Sequence, residues 1–330
     1  MRRRRAGTAS IAIEADATWG LREGDSLGED RRVLTFLAAG RKSEVYLAWD
    51  RRRHCTVAVK LPRPGRPVSK LRKEAALLDR LAHPVLVRGY EAALEEPCPH
   101  LVLEHIPGQS VRALVRRGPC APDVVVAVAL QVASVLNYLA TEGLVHLDVK
   151  PHNILLTSPT VHALEPGSRG TRPNRSDGRA PTAKLIDAAA IYPVGSPVKA
   201  LGGSVPELRE SGARAAPPAG VWLLGATMWR MLSGGAEVTG GTGGRGGRSG
   251  ARDPHAASAY PTVLPAGVPA PLVDLVTACV RREPSERPSA GEVADALEPL
   301  VVVSPSAASA PPPARPGPRL RRWLASGVGA

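Results

Sequence analysis

The stretch LVHLDVKPHNILL, residues 144–156, constrains this chain more than any other. It fixes an acid, a cation and an amide (Asp148, Lys150 and Asn153) at set offsets on a short polar step between two apolar runs. The pattern HxDxKxxN arises by chance at on the order of 1 in 10⁵ start points, taking average usage of about 5% per residue type. A fold for this chain therefore has to bury the flanking runs and hold three polar groups together. Leu147, an apolar side chain beside the acid, is the odd member of the set.

The residues before this step read as a small sheet. From 31 to 61, RRVLTFLAAGRKSEVYLAWD and CTVAVKLP alternate apolar and polar residues around a small-residue turn, and Pro62 and Pro64 end the second run. VSKLRKEAALLDRLAHP then places Leu71, Ala75, Leu78 and Leu81 at helical spacing and stops at Pro84. VLVRGYEAAL and HLVLEHI complete a sheet with one helix. Beyond residue 107 the pattern turns helical, with helices predicted over about 122–142, 219–233, 269–281 and 289–299.

With 33 Gly and 33 Pro in 330 residues, part of the chain has to be linker or insertion. The reading that follows is a flexible arm (1–30), a small β-rich lobe (31–104), a larger helical lobe (105–303) and a Pro/Ala-rich basic tail (304–330). Two insertions, 157–183 and 234–258, carry too little apolar surface to order themselves.

The net charge of +13 comes from arginine clusters, Arg2 to Arg5, Arg51 to Arg53 and Arg321 with Arg322, not from a stripe interleaved with aromatics. At 3% aromatic the chain has few stacking platforms, so nucleic acid is not expected as a ligand and a solvated basic surface is. Cys55, Cys98, Cys120 and Cys279 form no CxxC pair, which points away from zinc and disulfides and towards a reducing cytoplasm. The apolar run VVVAVALQVASVLNYLA is broken by Gln131 and Asn137 and reads as a buried helix rather than a transmembrane segment. The basic tail offers a contact for a partner or a membrane surface, with a disordered end as the plainer reading.

VAVK, a helix glutamate, HLDVKPHN, LID, VPE and ERP follow one another in an order that resembles the protein kinase superfamily, and within it the bacterial Ser/Thr kinases, from about 33 to 299. That resemblance implies an α+β, two-lobed kinase fold, with a small antiparallel sheet and one helix packed on a larger, mainly helical lobe. It also implies ATP with Mg2+ or Mn2+ and a protein substrate, which remains unidentified. Lys60 would contact the triphosphate and pair with Glu74. Asp148 would orient the attacking hydroxyl, Lys150 would contact phosphate, and Asn153 and Asp187 would hold the metal. Gly40 belongs to the phosphate turn, Val45 and Ala58 would lie above adenine and Leu155 below it, and the backbone near Glu104 and Ile106 would bond it. Glu207 and Arg287 match a structural pair of the larger lobe.

Several positions depart from the family pattern. Ala38, Gly40 and Ser43 stand where three glycines would let amides approach phosphate. Asp187 is followed by Ala188 and Ala189 in place of an aromatic and a glycine, and Gly89 and Ala188 leave two of four places in an internal stack with Leu78 and His146 nearly empty. Gly220 and Ala200 replace residues that usually brace the loop around Asp148. Leu147 replaces an arginine that receives an activation-segment phosphate, so control by such a phosphate is not expected. Three functions are compatible with this set: a Ser/Thr protein kinase of attenuated rate, a pseudokinase that binds nucleotide as a scaffold, and a phosphotransferase for small molecules.

Overall fold

The computed structural model describes residues 17–157, 181–198, 205–234 and 264–301. Strands β1 (Ser26–Leu27), β2 (Arg31–Ala39), β3 (Ser43–Asp50), β4 (Cys55–Pro62), β5 (Gly89–Ala93) and β6 (His100–Glu104) form an antiparallel sheet ordered β1-β2-β3-β4-β6-β5. Helix α1 (Ser69–Arg80) sits between β4 and β5 in sequence and buries Leu71, Glu74 and Leu78. Strand alternation divides the sheet residues. Tyr46, Ala48, Val57, Val59 and Leu61 pack with Leu27, Val33 and Val102 in one cluster. Val45 and Lys60 are register partners, as are Leu47 and Ala58, and all four lie half-buried on the other face, towards the larger lobe.

The expected arm of residues 1–30 is corrected from residue 17 onwards. Trp19 and Leu21 pack on the Tyr46–Val59 cluster, Leu27 is fully buried, and β1 pairs with β2. Two large apolar side chains so near a short strand bury enough surface to order the segment. Residues 1–16 lie outside the described residues, as do most of both insertions and the basic tail. The first insertion is shorter than expected at both ends, because Thr157 closes β9 and Thr182 opens β10, and the two are paired.

Past β6 come β7 (Gln109–Ser110), α2 (Val111–Val115) and α3 (Pro122–Thr141), then β8 (Leu144–His146), β9 (Ile154–Thr157), β10 (Thr182–Leu185) and β11 (Ile191–Pro193). Helices α4 (Pro217–Ser233), α5 (Ala270–Cys279) and α6 (Ala290–Leu297) complete the lobe. Proline in the first turn starts α3 and α4, where its missing N–H costs nothing. Gly234, at φ 67°, ends α4 by donating to the Arg230 carbonyl, and a capping box between Ser289 and Glu292 starts α6. By length and a mean hydropathy of 1.9, α3 passes for a membrane span. Its Val125, Val128, Val132, Val135 and Leu139 are instead buried in the core, which α4 and α6 share.

The sequence-predicted pair of Glu207 and Arg287 is a two-pronged contact: Nη1 lies 2.6 Å from Oε1 and Nη2 2.8 Å from Oε2. Arg287 also donates to the carbonyls of Arg281, Pro218 and Arg282, so a fully buried guanidinium uses every nitrogen. One side chain thereby links the turn at Pro206–Arg209, the start of α4 and the chain after α5. Arg287→Ala should cost the larger lobe about 3 kcal/mol, because Glu207 and three carbonyls lose their donor together. Denaturant unfolding measures this, and Arg287→Lys should recover little, since an ammonium cannot reproduce the fork.

Candidate active site

The site lies where β4, α1, the loop after β8 and the turn after β10 meet. Lys60 is at the end of β4, and its Nζ stands 2.8 and 2.7 Å from the two oxygens of Glu74 and 2.7 Å from Oδ1 of Asp187. Burial pulls the Lys60 ammonium down, but Glu74 and Asp187 outweigh it and hold the group above the ordinary lysine range. Asp187 is lowered: burial opposes this, and Lys60 beside it prevails. Glu74, the deepest of the three, is raised by burial, with Lys60 opposing. Both carboxylates thus favour the charged form of Lys60, and Lys60 in turn favours the charged form of Asp187.

Asp187 adopts a left-handed backbone, φ 72° and ψ 62°, which few residues other than glycine and Asn/Asp do without cost. The turn lets Ile186 donate to the Asn153 carbonyl at 2.8 Å while the next residue reaches Lys60. Asn153 therefore lies one residue from Asp187 in the ladder.

On the adjacent loop, Lys150 Nζ lies 2.8 and 2.7 Å from the two oxygens of Asp148. Asn153 Nδ2 donates to the Asp148 carbonyl at 2.9 Å and to its Oδ2 at 2.8 Å. The structure so brings together Asp148, Lys150 and Asn153 on one side and Lys60, Glu74 and Asp187 on the other. Both bonds from Asn153 use its amide nitrogen and neither uses its side-chain oxygen. Asn153 and Asp187 are the two residues here whose side-chain oxygens could hold a hard divalent ion.

Of the remaining predicted residues, Gly40 lies in the turn between β2 and β3, and Val45 and Ala58 lie on paired strands of the sheet. Val45, Ala58 and Leu155 are half-buried, and Ile106 is buried. Glu104 donates its amide to the Arg88 carbonyl, and Lys184 holds its carboxylate at 2.7 Å. Sequence reasoning missed Lys184, whose only signal was an isolated cation in an apolar strand. It also missed Gly108, where a Cβ would fall 1.9 Å from the Leu156 carbonyl oxygen, so the chain leaving β6 crosses β9 at a distance only glycine permits.

Three expectations about thinned scaffolding change. The stack place at Gly89 is not empty: a Cβ there would lie 2.9 Å from Leu78 Cβ, so α1 packs directly against β5. Ala188 is fully buried as well. The loop around Asp148 is braced without a carboxylate at Gly220. Leu147 donates its amide to the Ala190 carbonyl at 2.9 Å, and β8 pairs with β11 through His146 and Ile191. The Leu147 side chain is buried among Val145, Val205, Leu208 and Trp222, so apolar packing does what an ion pair would have done. Beside Gly220 a recess of about 340 Å³ is left, lined by Leu136, Val145 and Val221 among others. Ala200 lies outside the described residues.

The chain matches the protein kinase domain family across residues 32–297. The chain belongs to that family. It is 31% identical over 215 residues to the serine/threonine-protein kinase PknB of Mycobacterium tuberculosis, covering 62% of this chain and 32% of that protein. It is 24% identical over 281 residues to the probable serine/threonine-protein kinase CA_C1728 of Clostridium acetobutylicum, covering 83% of the chain and 40% of that protein. With the serine/threonine-protein kinase PknD of Mycobacterium tuberculosis the figures are 34% over 133 residues, 38% and 20%. The chain spans well under half the length of the curated relatives it matches.

The packing around this site can be tested at two positions. Gly89→Leu, which restores a bulky stack residue, should lower stability by about 1–3 kcal/mol and weaken the Lys60–Glu74 pair by displacing α1. A thermal melt combined with a nucleotide titration reads both. The second concerns His146, fully buried, whose Nδ1 accepts from the Asp148 amide at 3.1 Å. Burial pulls this imidazole from its ordinary 6.5 down to about 4, with Asp187 and Asp148 opposing. The unfolded chain takes up the proton first, so the stability from neutral His146 is complete above about 6.5 and is lost as pH falls towards 4, by about 3 kcal/mol at the limit. The stability gap between the protein and His146→Phe should shift in favour of the variant over that interval.

Proposed function

We propose that the protein transfers the terminal phosphoryl group of ATP to serine or threonine hydroxyls of protein substrates. The single observation that carries this is the seating of Lys60 between Glu74 and Asp187 within a ladder bond of the Asp148–Lys150–Asn153 loop. Phosphoryl transfer asks the protein mainly to position groups and to place charge. Lys60 supplies fixed positive charge from the sheet. Asp148, held by Lys150 and Asn153, presents an acceptor for the proton of an incoming hydroxyl. Lys150 supplies a second cation, on the substrate side. A divalent ion, when bound through Asn153 and Asp187, would neutralise phosphate charge.

Apolar bracing of the Asp148 loop argues for a working site over a scaffold, since the backbone around Asp148 keeps its bonds although Gly220 and Leu147 differ from the family pattern. A burial pattern in which Leu147 is sealed from solvent also supports activity that needs no phosphate on the activation segment.

Asp148→Asn should reduce phosphate transfer by about 10²–10⁴ while ATP affinity stays nearly unchanged, because the carboxylate meets the hydroxyl and not the nucleotide. Asp187→Asn should instead weaken Mg2+-dependent ATP binding. Radiolabel transfer to a generic basic protein, paired with ATP titration, separates the two. A wild-type protein that binds ATP and transfers nothing, with Mg2+ or Mn2+, establishes the scaffold reading in place of this one.

A further inference from the structure

The turn between β2 and β3 keeps one glycine, Gly40, and its backbone is held by a residue outside it. Arg63, just past β4, donates Nε to the Gly40 carbonyl at 2.8 Å and its own amide to the Lys42 carbonyl at 3.0 Å. Its Nη1 donates to the Ala17 carbonyl at 3.1 Å and lies 3.5 Å from Oε1 of Glu44. Glu44 is buried, and its other oxygen accepts from the Tyr46 hydroxyl at 2.7 Å and from the Trp19 amide at 3.3 Å. Trp19 Nε1 donates to the Pro62 carbonyl at 2.7 Å. The segment Ala17–Leu21 is therefore a strap fastened at several points to the end of β4, with Arg63 between it and the turn.

A peptide unit is planar and trans, so fixing its carbonyl fixes the following N–H in the opposite direction. Arg63 holds the carbonyls of Gly40 and Lys42, which leaves the amides of Arg41 and Ser43 pointing away from it. Those amides lie in the turn that the kinase reading assigns to the triphosphate. Gly40 and Ser43 close the turn through a 2.8 Å bond from the Gly40 amide to the Ser43 carbonyl. With Ala38 and Ser43 in place of flexible glycines, the turn has fewer conformations to lose, and a clamp on its carbonyls selects among them.

We infer that Arg63 is a positioning residue for the triphosphate of the nucleotide, aiming the amides of the β2–β3 turn, and that the strap Ala17–Leu21 is its anchor; this rests on the kinase reading above. The residue touches neither substrate nor metal and acts through the turn. It makes the amino-terminal segment part of the nucleotide site, so that anything displacing the strap would loosen the grip on phosphate and leave the adenine contacts alone.

The test compares ATP with Mg2+ and adenosine as ligands, by calorimetric titration of the full chain. Arg63→Ala keeps the backbone bond to Lys42 and removes only the side chain. It should weaken ATP about tenfold, as the loss of charged hydrogen bonds predicts, with adenosine affinity unchanged. Arg63→Lys, whose single ammonium cannot serve Gly40, Ala17 and Glu44 together, should lose about threefold and serves as the measurement if the alanine variant does not fold. Equal weakening of adenosine and ATP makes Arg63 a purely structural residue and overturns the inference, as does unchanged ATP affinity in a folded variant. Wild-type protein that binds no ATP removes the kinase reading, and this inference with it.

Discussion

One half-buried cation holds the site together. Lys60 joins β4 to α1 through Glu74 and the sheet to the larger lobe through Asp187. Taking an ammonium out of water is costly, and two carboxylates within hydrogen-bond distance offset that cost only while all three stay in register. The position of α1, the left-handed turn at Asp187 and the approach of Leu78 over Gly89 are therefore one arrangement. A shift of α1 away from the sheet would break the pair first, because nothing else on the helix is charged and buried.

The second feature is the exchange of polar bracing for apolar packing. An arginine and an aspartate are absent at 147 and 220, yet the backbone around Asp148 is held through Ala190, through the β8–β11 ladder and through Leu147 buried against Trp222. Apolar contacts hold a loop without reference to any phosphate. The consequence is a site whose order comes from the fold, with the strap at Arg63 as the anchor of its phosphate turn on the inference above. The buried thiols fit the same picture of inert interior groups: burial pushes Cys120 up to about 11 and Cys279 up to about 12, leaving both protonated.

Motifs carried by local spacing were legible before any coordinates. Asp148, Lys150 and Asn153 lie within six residues, so their convergence needs only one loop, and the apolar period of α1 and α3 follows from covering one face or a whole helix. The pairing of Glu207 with Arg287 was legible by family pattern alone, since 80 residues separate them. The strap was not. Its signal, Trp19 with Leu21 and Leu27, resembles the ordinary scatter of apolar residues in a terminal segment, and an arm was the reading it invited. Of the arginine clusters read as a solvated surface, the described one has Arg51 and Arg52 exposed, while the isolated Arg31 and Arg287 are buried and Arg63 is mostly covered.

The sequence by itself carried the family resemblance, the main sheet with its one helix and the six polar residues that the structure brings together, because motif order, short-range periodicity and fixed offsets along the chain are read without coordinates. Only the tertiary structure decided whether the places left by missing side chains were empty. Gly89 and Gly220 are the same residue type in the sequence, but at one a Cβ would fall 2.9 Å from Leu78 and at the other the nearest atom is 3.5 Å away. Close packing can remove a gap by moving a helix or leave it as a recess, and which of these happens is settled by neighbours distant in sequence.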